Sequence, residues 1–450
     1  MPQAATIRQV TWTQADAQHA GPPERAAVVG LAFGARSRRV VESSLEELTG
    51  LAVTAGASVA FRAVQELRNP SPALFLGRGK AAELAADCEA SAIDLVIVDE
   101  ELTPVQLRNL DAALPCRVVD RTQLILDIFA SRARTREGRL QVELAQLKYL
   151  LPRLTGAGVA LSRLGAGIGT RGPGETKLES DRRRIRHRIT RLTRELDAVR
   201  RRRARSRGRR QKDAVPTVAL VGYTNAGKTS LFNRLTRSDA LASSKLFATL
   251  DPLVRPLRLP DRQTVLLSDT VGFIDRLPHT LVAAFRATLE EVAEADLLLH
   301  VIDASHADRE ARTAAVHRVL EEVGCEGLPQ LQVFNKCDRV AEADLARLDR
   351  TAGDSVCISA RTGLGTDELV RRLMRLVEMD TSRVTLEFDH TTHDDRERLA
   401  ALHRHSRVLR QVTEGDRVSV EADVPRRLIA RLRPRNTAAS VAEREKAVRL

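Results

Sequence analysis

At 450 residues the chain has the length of about three domains. Its 43% hydrophobic content is ordinary but only 3% is aromatic, so Leu, Val, Ala and Ile must fill the cores. The net charge of +13 points to an anionic partner, most simply nucleic acid, and five scattered cysteines with no C-x-x-C pair argue against a disulfide frame or a zinc site.

In chain order, residues 1–25 are polar, carry Gly21-Pro22-Pro23, and read as a flexible arm without the basic start or apolar run of a signal peptide. No apolar stretch approaches the roughly 18 residues of a membrane helix, so the expectation is a cytoplasmic protein, with peripheral membrane association left open. Residues 26–133 alternate strands (26–33, 57–64, 94–99) with helices (44–53, 80–90, 103–114), the pattern of a small parallel α/β domain. Gly77-Arg78-Gly79-Lys80 is too short for a phosphate loop and reads as a helix-opening turn.

Residues 134–213 carry two leucine seams. Leu140, Leu144, Leu147, Leu151 and Leu154 form one; Leu178, Ile185, Ile189, Leu192, Leu196 and Val199 form the other. Both repeat every 3.5 residues over a few heptads, enough for an antiparallel helical hairpin. Its tip would be the glycine-rich stretch 156–174. There Gly167, Gly169 and Gly172 spell G-x-G-x-x-G, but the stretch follows a helix and lacks the acidic ribose partner of a βαβ unit, so a dinucleotide site is excluded. The basic run 200–212 is either a solvated linker or an RNA-phosphate contact.

From 214 to 379 a second βα domain begins with an apolar strand, the loop Gly222-Tyr223-Thr224-Asn225-Ala226-Gly227-Lys228-Thr229, and a helix, which is the setting a phosphate loop requires. Its backbone N–H groups and the helix N-terminus attract phosphate; Lys228 neutralises β/γ charge and Thr229 offers a hydroxyl to Mg²⁺. Asp269-Thr270-Val271-Gly272 ends a further strand, with Asp269 acting on the metal through water and the Gly272 N–H reaching the γ-phosphate. Asn335-Lys336-Cys337-Asp338 ends another, and a carboxylate at Asp338 matches the two donors of guanine but not adenine. Ser359 and Ala360 supply backbone to the guanine carbonyl. Four such elements in this order, each at a strand's C-terminal end, make a GTP-binding domain.

Between the first two elements lies Phe247-Ala248-Thr249-Leu250-Asp251, also placed with the nucleotide; Thr249 is chosen as the residue that completes the magnesium shell and senses the γ-phosphate. Lys228, Thr249 and Gly272 are thus the expected catalytic set. Phe273 stands where many GTPases have a water-orienting glutamine, which predicts slow intrinsic hydrolysis aided by a partner; alternatively Phe273 simply packs and another side chain positions water. Asn225 is similar in position to the asparagine that helps bind a monovalent cation in related translation and RNA-modification GTPases, which implies K⁺; alternatively it is a solvent-facing loop residue. Residues 380–450 mix strand-like and helix-like segments, a small α+β domain.

The block from Leu161 to Ile189, rich in Gly-Pro-Gly-Glu-Thr-Lys-Leu-Glu, followed by the phosphate loop, FATLDP, DTVGFI and NKCD, resembles the HflX family of ribosome-associated GTPases over residues 26 to about 379. Ala166 departs from the glycine many members carry. The resemblance implies a Ras-like P-loop G domain, binding GTP or GDP, after an α/β domain and a helical hairpin; nothing in the sequence suggests more than a monomer. It implies binding of the large ribosomal subunit, with the hairpin tip toward 23S ribosomal RNA near the peptidyl-transferase centre, ribosome-stimulated hydrolysis, and splitting of stalled or hibernating ribosomes under stress. Under it Arg163, Arg171, Lys177, Arg182, Arg183 and Arg184 become candidate RNA contacts, of which some must simply solvate helix faces. The alternatives are a large-subunit assembly factor and an RNA- or membrane-associated regulatory switch.

Overall fold

The computed structural model describes residues 22–154, 173–213, 215–239, 246–260, 264–276, 291–325, 327–341, 344–345, 355–379, 381–425, 429 and 432. It forms two compact units. The first comprises Met1–Val199, Leu241–Asp251 and Val271–Leu289; the second comprises Arg200–Ala240, Pro252–Thr270 and Glu290–Leu450.

The first unit opens with β1 (Arg25–Ala32), α1 (Arg38–Ala55), β2 (Ser58–Glu66), α2 (Arg78–Ala90), β3 (Leu95–Val98), α3 (Pro104–Ala113), β4 (Arg117–Asp120) and α4 (Arg121–Arg132). The strands form an all-parallel sheet in the order β2-β1-β3-β4. β1 and β3 read as unbroken apolar runs because both faces are covered, as parallel strands in βα alternation require. Gly77 is the N-cap of α2, so the GRGK stretch is a helix-opening turn. The sequence reading did not name β4 and α4. The strand is four residues long, and Asp120 ends it while capping α4 by accepting the Gln123 N–H at 2.8 Å.

Among the described residues this unit also holds α5 (Arg136–Arg153) and α6 (Pro173–Asp213), whose last residues run into the second unit. Leu140 and Leu144 of α5 bury against Leu192 and Leu196 of α6, with Leu147 and Ile189 flanking. These are members of the two leucine seams. Burying each leucine stabilises the pair by about 1.5–3 kcal/mol. Arg188 donates through Nε and Nη2 to the two oxygens of Glu143, at 2.6 and 2.7 Å, a bidentate tie between the helices. The glycine-rich stretch 156–172 lies outside the described residues.

The second unit holds β5 (Thr217–Val221), α7 (Lys228–Thr236), β6 (Leu253–Arg258), β7 (Thr264–Asp269), β8 (Leu297–Asp303), α8 (Arg309–Val323), β9 (Gln330–Asn335), β10 (Ser355–Cys357) and α9 (Thr366–Met379). Its six-stranded sheet runs β10-β9-β8-β5-β7-β6, parallel throughout except for the antiparallel edge strand β6. Leu220, Phe232, Leu299, Val301, Val333 and Leu369 lie in its core. In the same unit β11 (Thr381–Asp389), α10 (His393–His405), β12 (Arg407–Glu414) and β13 (Arg417–Pro425) form an antiparallel sheet, ordered β11-β13-β12, around Phe388, Leu402 and Val420. The parallel sheet brings the C-terminal ends of β5, β7, β8 and β9 to one edge, where a ligand site of an open α/β sheet forms.

Candidate nucleotide site

The loop between β5 and α7 is held open by glycines that nothing else could replace. Gly222 has φ 148°, and a Cβ there would lie 2.2 Å from the Val301 carbonyl oxygen on β8. Gly227 has φ 95°, and a Cβ would lie 2.2 Å from Nδ2 of Asn335. At these two positions the loop therefore meets its neighbours with backbone, leaving its N–H groups at the start of a helix. Tyr223 is buried under the Arg312 guanidinium, 4.7 Å from the ring centroid. Thr224 and Ala226 are buried too, whereas Asn225 is exposed at φ 60°, a left-handed position that asparagine tolerates.

Lys228 is buried at the first position of α7 and donates to the carbonyls of Gly222, at 3.0 Å, and Tyr223, at 2.9 Å. Burial pulls its ammonium down to about 8 while Asp269 pushes the other way. The Thr229 hydroxyl donates to Oδ2 of Asp269 at 2.8 Å. That pair is an all-oxygen donor set of the kind a small hard cation takes, and so fits magnesium. Thr270 turns away, donating to the Leu220 carbonyl at 2.6 Å, which locks the end of β7 to β5.

Asn335 serves the site's architecture. Its Nδ2 donates to the Ala226 carbonyl at 2.8 Å, and its Oδ1 accepts the Ala360 N–H at 2.9 Å, tying phosphate loop, β9 and the Ser359 turn together. Lys336, at φ 64°, forms an ion pair with Asp303 at 2.6 Å. Burial raises the Asp303 carboxyl, but that pair and the Ser305 bonds outweigh it and hold the group below the usual carboxylate range. Sequence reasoning did not name Asp303, although its place at the end of β8 was the available signal. Cys337 and Ser359 are buried. Asp338 is held low, first by a hydrogen bond from Ser359 and then by Arg361, whose Nη2 lies 2.9 Å from its Oδ2.

Two segments expected beside the nucleotide belong to the first unit. In the stretch 246–251, the Leu246 N–H donates to Thr54 Oγ1 at 3.2 Å. Phe247 is buried edge-on to Phe129, with centroids 4.7 Å apart. Ala248 and Thr249 are half-buried and Leu250 is buried. The Asp251 side chain was grouped with the nucleotide by sequence; its carboxylate instead accepts the backbone N–H groups of Arg134 and Thr135, each at 2.9 Å. In the stretch 271–276, Val271, Gly272, Phe273 and Ile274 are buried. Phe273 is only 1% exposed. Arg276 reaches Glu100 at 2.7 Å and the buried Asp99 at 3.3 Å, and Asp99 also holds Arg36 and Arg121.

Of the candidate RNA contacts, Arg183 and Arg184 are exposed on α6 and Arg182 is half-buried; Arg184 pairs with Asp181 at 3.5 Å. Arg163, Arg171 and the Lys177 side chain lie outside the described residues. No helix among those described is long and apolar enough to cross a membrane.

Three families match in succession: the N-terminal region of GTP-binding GTPases over residues 42–130, the middle region of the same proteins over 132–210, and the 50S ribosome-binding GTPase family over 217–336. The chain is similar to the GTPase HflX of Caldanaerobacter subterraneus, 47% identical over 87% of this chain and 90% of that one. It is also similar to the GTPase HflX of Escherichia coli, 46% identical over 76% of this chain and 81% of that one. A GTP-binding protein from the archaeon Sulfolobus solfataricus, solved with GDP, aligns with 78% of this chain and 98% of its own at 25% identity and a TM-score of 0.42.

Proposed function

The chain belongs to the HflX family of GTPases, and from that premise we propose that its GTP-bound form binds the large ribosomal subunit and splits stalled or hibernating ribosomes under stress. The observation that carries the nucleotide half is the Thr229–Asp269 pair beside the buried Lys228, at the mouth of a glycine loop opening a helix. In this reading Gly222 to Thr229 cradle the phosphates, Asp338 selects guanine, and Ser359 and Ala360 contact its carbonyl. Thr229, and Asp269 through water, would hold Mg²⁺ with Thr249, and the metal would neutralise charge at the β- and γ-phosphates. Lys228, Thr249 and Gly272 act on the γ-phosphate.

A buried Phe273 cannot orient the attacking water, so intrinsic turnover is slow and the large subunit speeds it. Asn225, exposed at the loop's crown, is the position for a potassium ion; replacing K⁺ by Na⁺ in the assay tests that. Arg182, Arg183 and Arg184 of α6 supply sequence-independent contacts to 23S ribosomal RNA, and the stretch 156–174 carries the tip toward the peptidyl-transferase centre. The protein acts as a cytoplasmic monomer. Deleting residues 165–174 tests the splitting role: GDP affinity should persist while subunit splitting, followed by light scattering, is lost. Splitting at the undiminished rate would contradict it.

A further inference from the structure

We propose that Asp251 is a positioning residue: it fixes the backbone that carries Thr249 and couples that backbone to α5, the first arm of the helical hairpin. This deepens the functional reading above and rests on it. The segment 246–251 is pinned on both sides of Thr249. On one side Phe247 is wedged against Phe129 with φ 54°, a left-handed backbone that phenylalanine rarely adopts and that only a filled pocket maintains. On the other, two residues on, sits the Asp251 carboxylate.

That carboxylate completes the N-terminal cap of α5. Thr135 is the N-cap, and its Oγ1 accepts the Gly138 N–H at 3.0 Å. The same Thr135 hydroxyl donates to Asp251 Oδ1 in a short hydrogen bond, and Oδ2 accepts the N–H groups of Arg134 and Thr135, each at 2.9 Å. A negative charge thus stands where unsatisfied donors and the helix dipole favour it. Gly138 is shaped to this contact: a Cβ there would come within 2.5 Å of Asp251 Oδ1. A glycine in the first turn of a helix is otherwise unfavourable, so its presence is accounted for by the carboxylate lying over it.

The route continues along α5 without a break. Two turns past the cap, Glu143 and Leu144 engage Arg188 and Leu192 of α6. A shift of the 246–251 backbone at Thr249 therefore pulls on the end of a hairpin arm. Conversely, a force on the hairpin is delivered next to Thr249. The same carboxylate serves both directions, as thermodynamic reciprocity of coupled sites requires.

The test compares wild type, Asp251→Ala, Asp251→Asn and Gly138→Ala as full-length proteins. GDP affinity should stay within about twofold of wild type in all three, because the phosphate loop is untouched, while large-subunit-stimulated kcat falls about tenfold in Asp251→Ala and Gly138→Ala without a matching rise in KM. Asp251→Asn keeps acceptor capacity toward the backbone and should recover part of the loss. Hydrogen exchange supplies a readout independent of ribosomes: in wild type the amides of residues 134–138 should exchange at different rates with GDP and with a non-hydrolysable GTP analogue, and Asp251→Ala should erase that difference. A wild type unresponsive to large subunits would refute the functional reading, whereas nucleotide-dependent exchange at 134–138 would still uphold the link. Full stimulation in Asp251→Ala, or identical exchange in both nucleotide states of the wild type, would overturn the link itself.

Discussion

Asn335 Nδ2 donates to the Ala226 carbonyl at 2.8 Å while its Oδ1 accepts the Ala360 N–H, so one amide joins the phosphate loop to the Ser359 turn. Gly227 exists in that form because Asn335 occupies the space a Cβ would need. Asn335→Ala leaves two buried backbone groups unpartnered, at a cost of about 1–3 kcal/mol each. We expect a lower denaturant midpoint for the nucleotide-binding unit together with weaker GDP binding by calorimetry. Unchanged GDP affinity would mean the loop keeps its shape without this tie.

Lys228 makes nucleotide affinity pH-dependent. Its ammonium must be charged to meet phosphate, and burial brings it down to about 8 in the free protein. Below pH 8 the charge is already present and GDP affinity is flat; above it, binding must take up a proton and weakens by up to about tenfold per pH unit. The sign for stability is opposite. Between about 8 and the ordinary 10.5 the unfolded chain binds more protons at this site, so this group makes the free protein more stable as pH rises. Titrating GDP at pH 7, 8 and 9 checks the first statement, and constant affinity to pH 9 would refute it.

The hairpin seam should be separable from the nucleotide site. Leu192 is fully buried between Leu140, Leu144 and Leu196. Leu192→Ala removes that packing and leaves a cavity, costing about 2–5 kcal/mol locally. GDP affinity should be unchanged, while stimulation of hydrolysis by large subunits falls. Equal loss of both would show that the seam supports the whole fold instead of the hairpin.

Much of this was legible in the sequence because it is local. β1, β3 and the strand–loop–helix at Gly222 to Thr229 announce themselves by apolar runs and glycine spacing, and the alternating leucines of α5 and α6 mark which faces meet. β4 and α4 were missed because the strand is four residues long and its last residue, Asp120, doubles as the cap of the next helix. Asn335 was read as a nucleotide contact, yet its bonds run to Ala226 and Ala360; motif spacing gives a residue's neighbourhood but not the partner its amide selects. Asp251 is the clearest case. Its partners Arg134 and Thr135 lie more than a hundred positions earlier, a tertiary pairing no window can see. The one local trace was Gly138, three residues after a helix-capping threonine, where a capping box would place Glu or Gln.

We propose that this GTPase reads the large ribosomal subunit through a basic, salt-sensitive contact. The most direct measurement is GTP turnover with and without purified large subunits across a series of salt concentrations. Turnover should be slow alone and strongly stimulated at low salt, with stimulation declining steadily as salt rises, because phosphate contacts release counterions. Turnover unaffected by large subunits at low salt would contradict it.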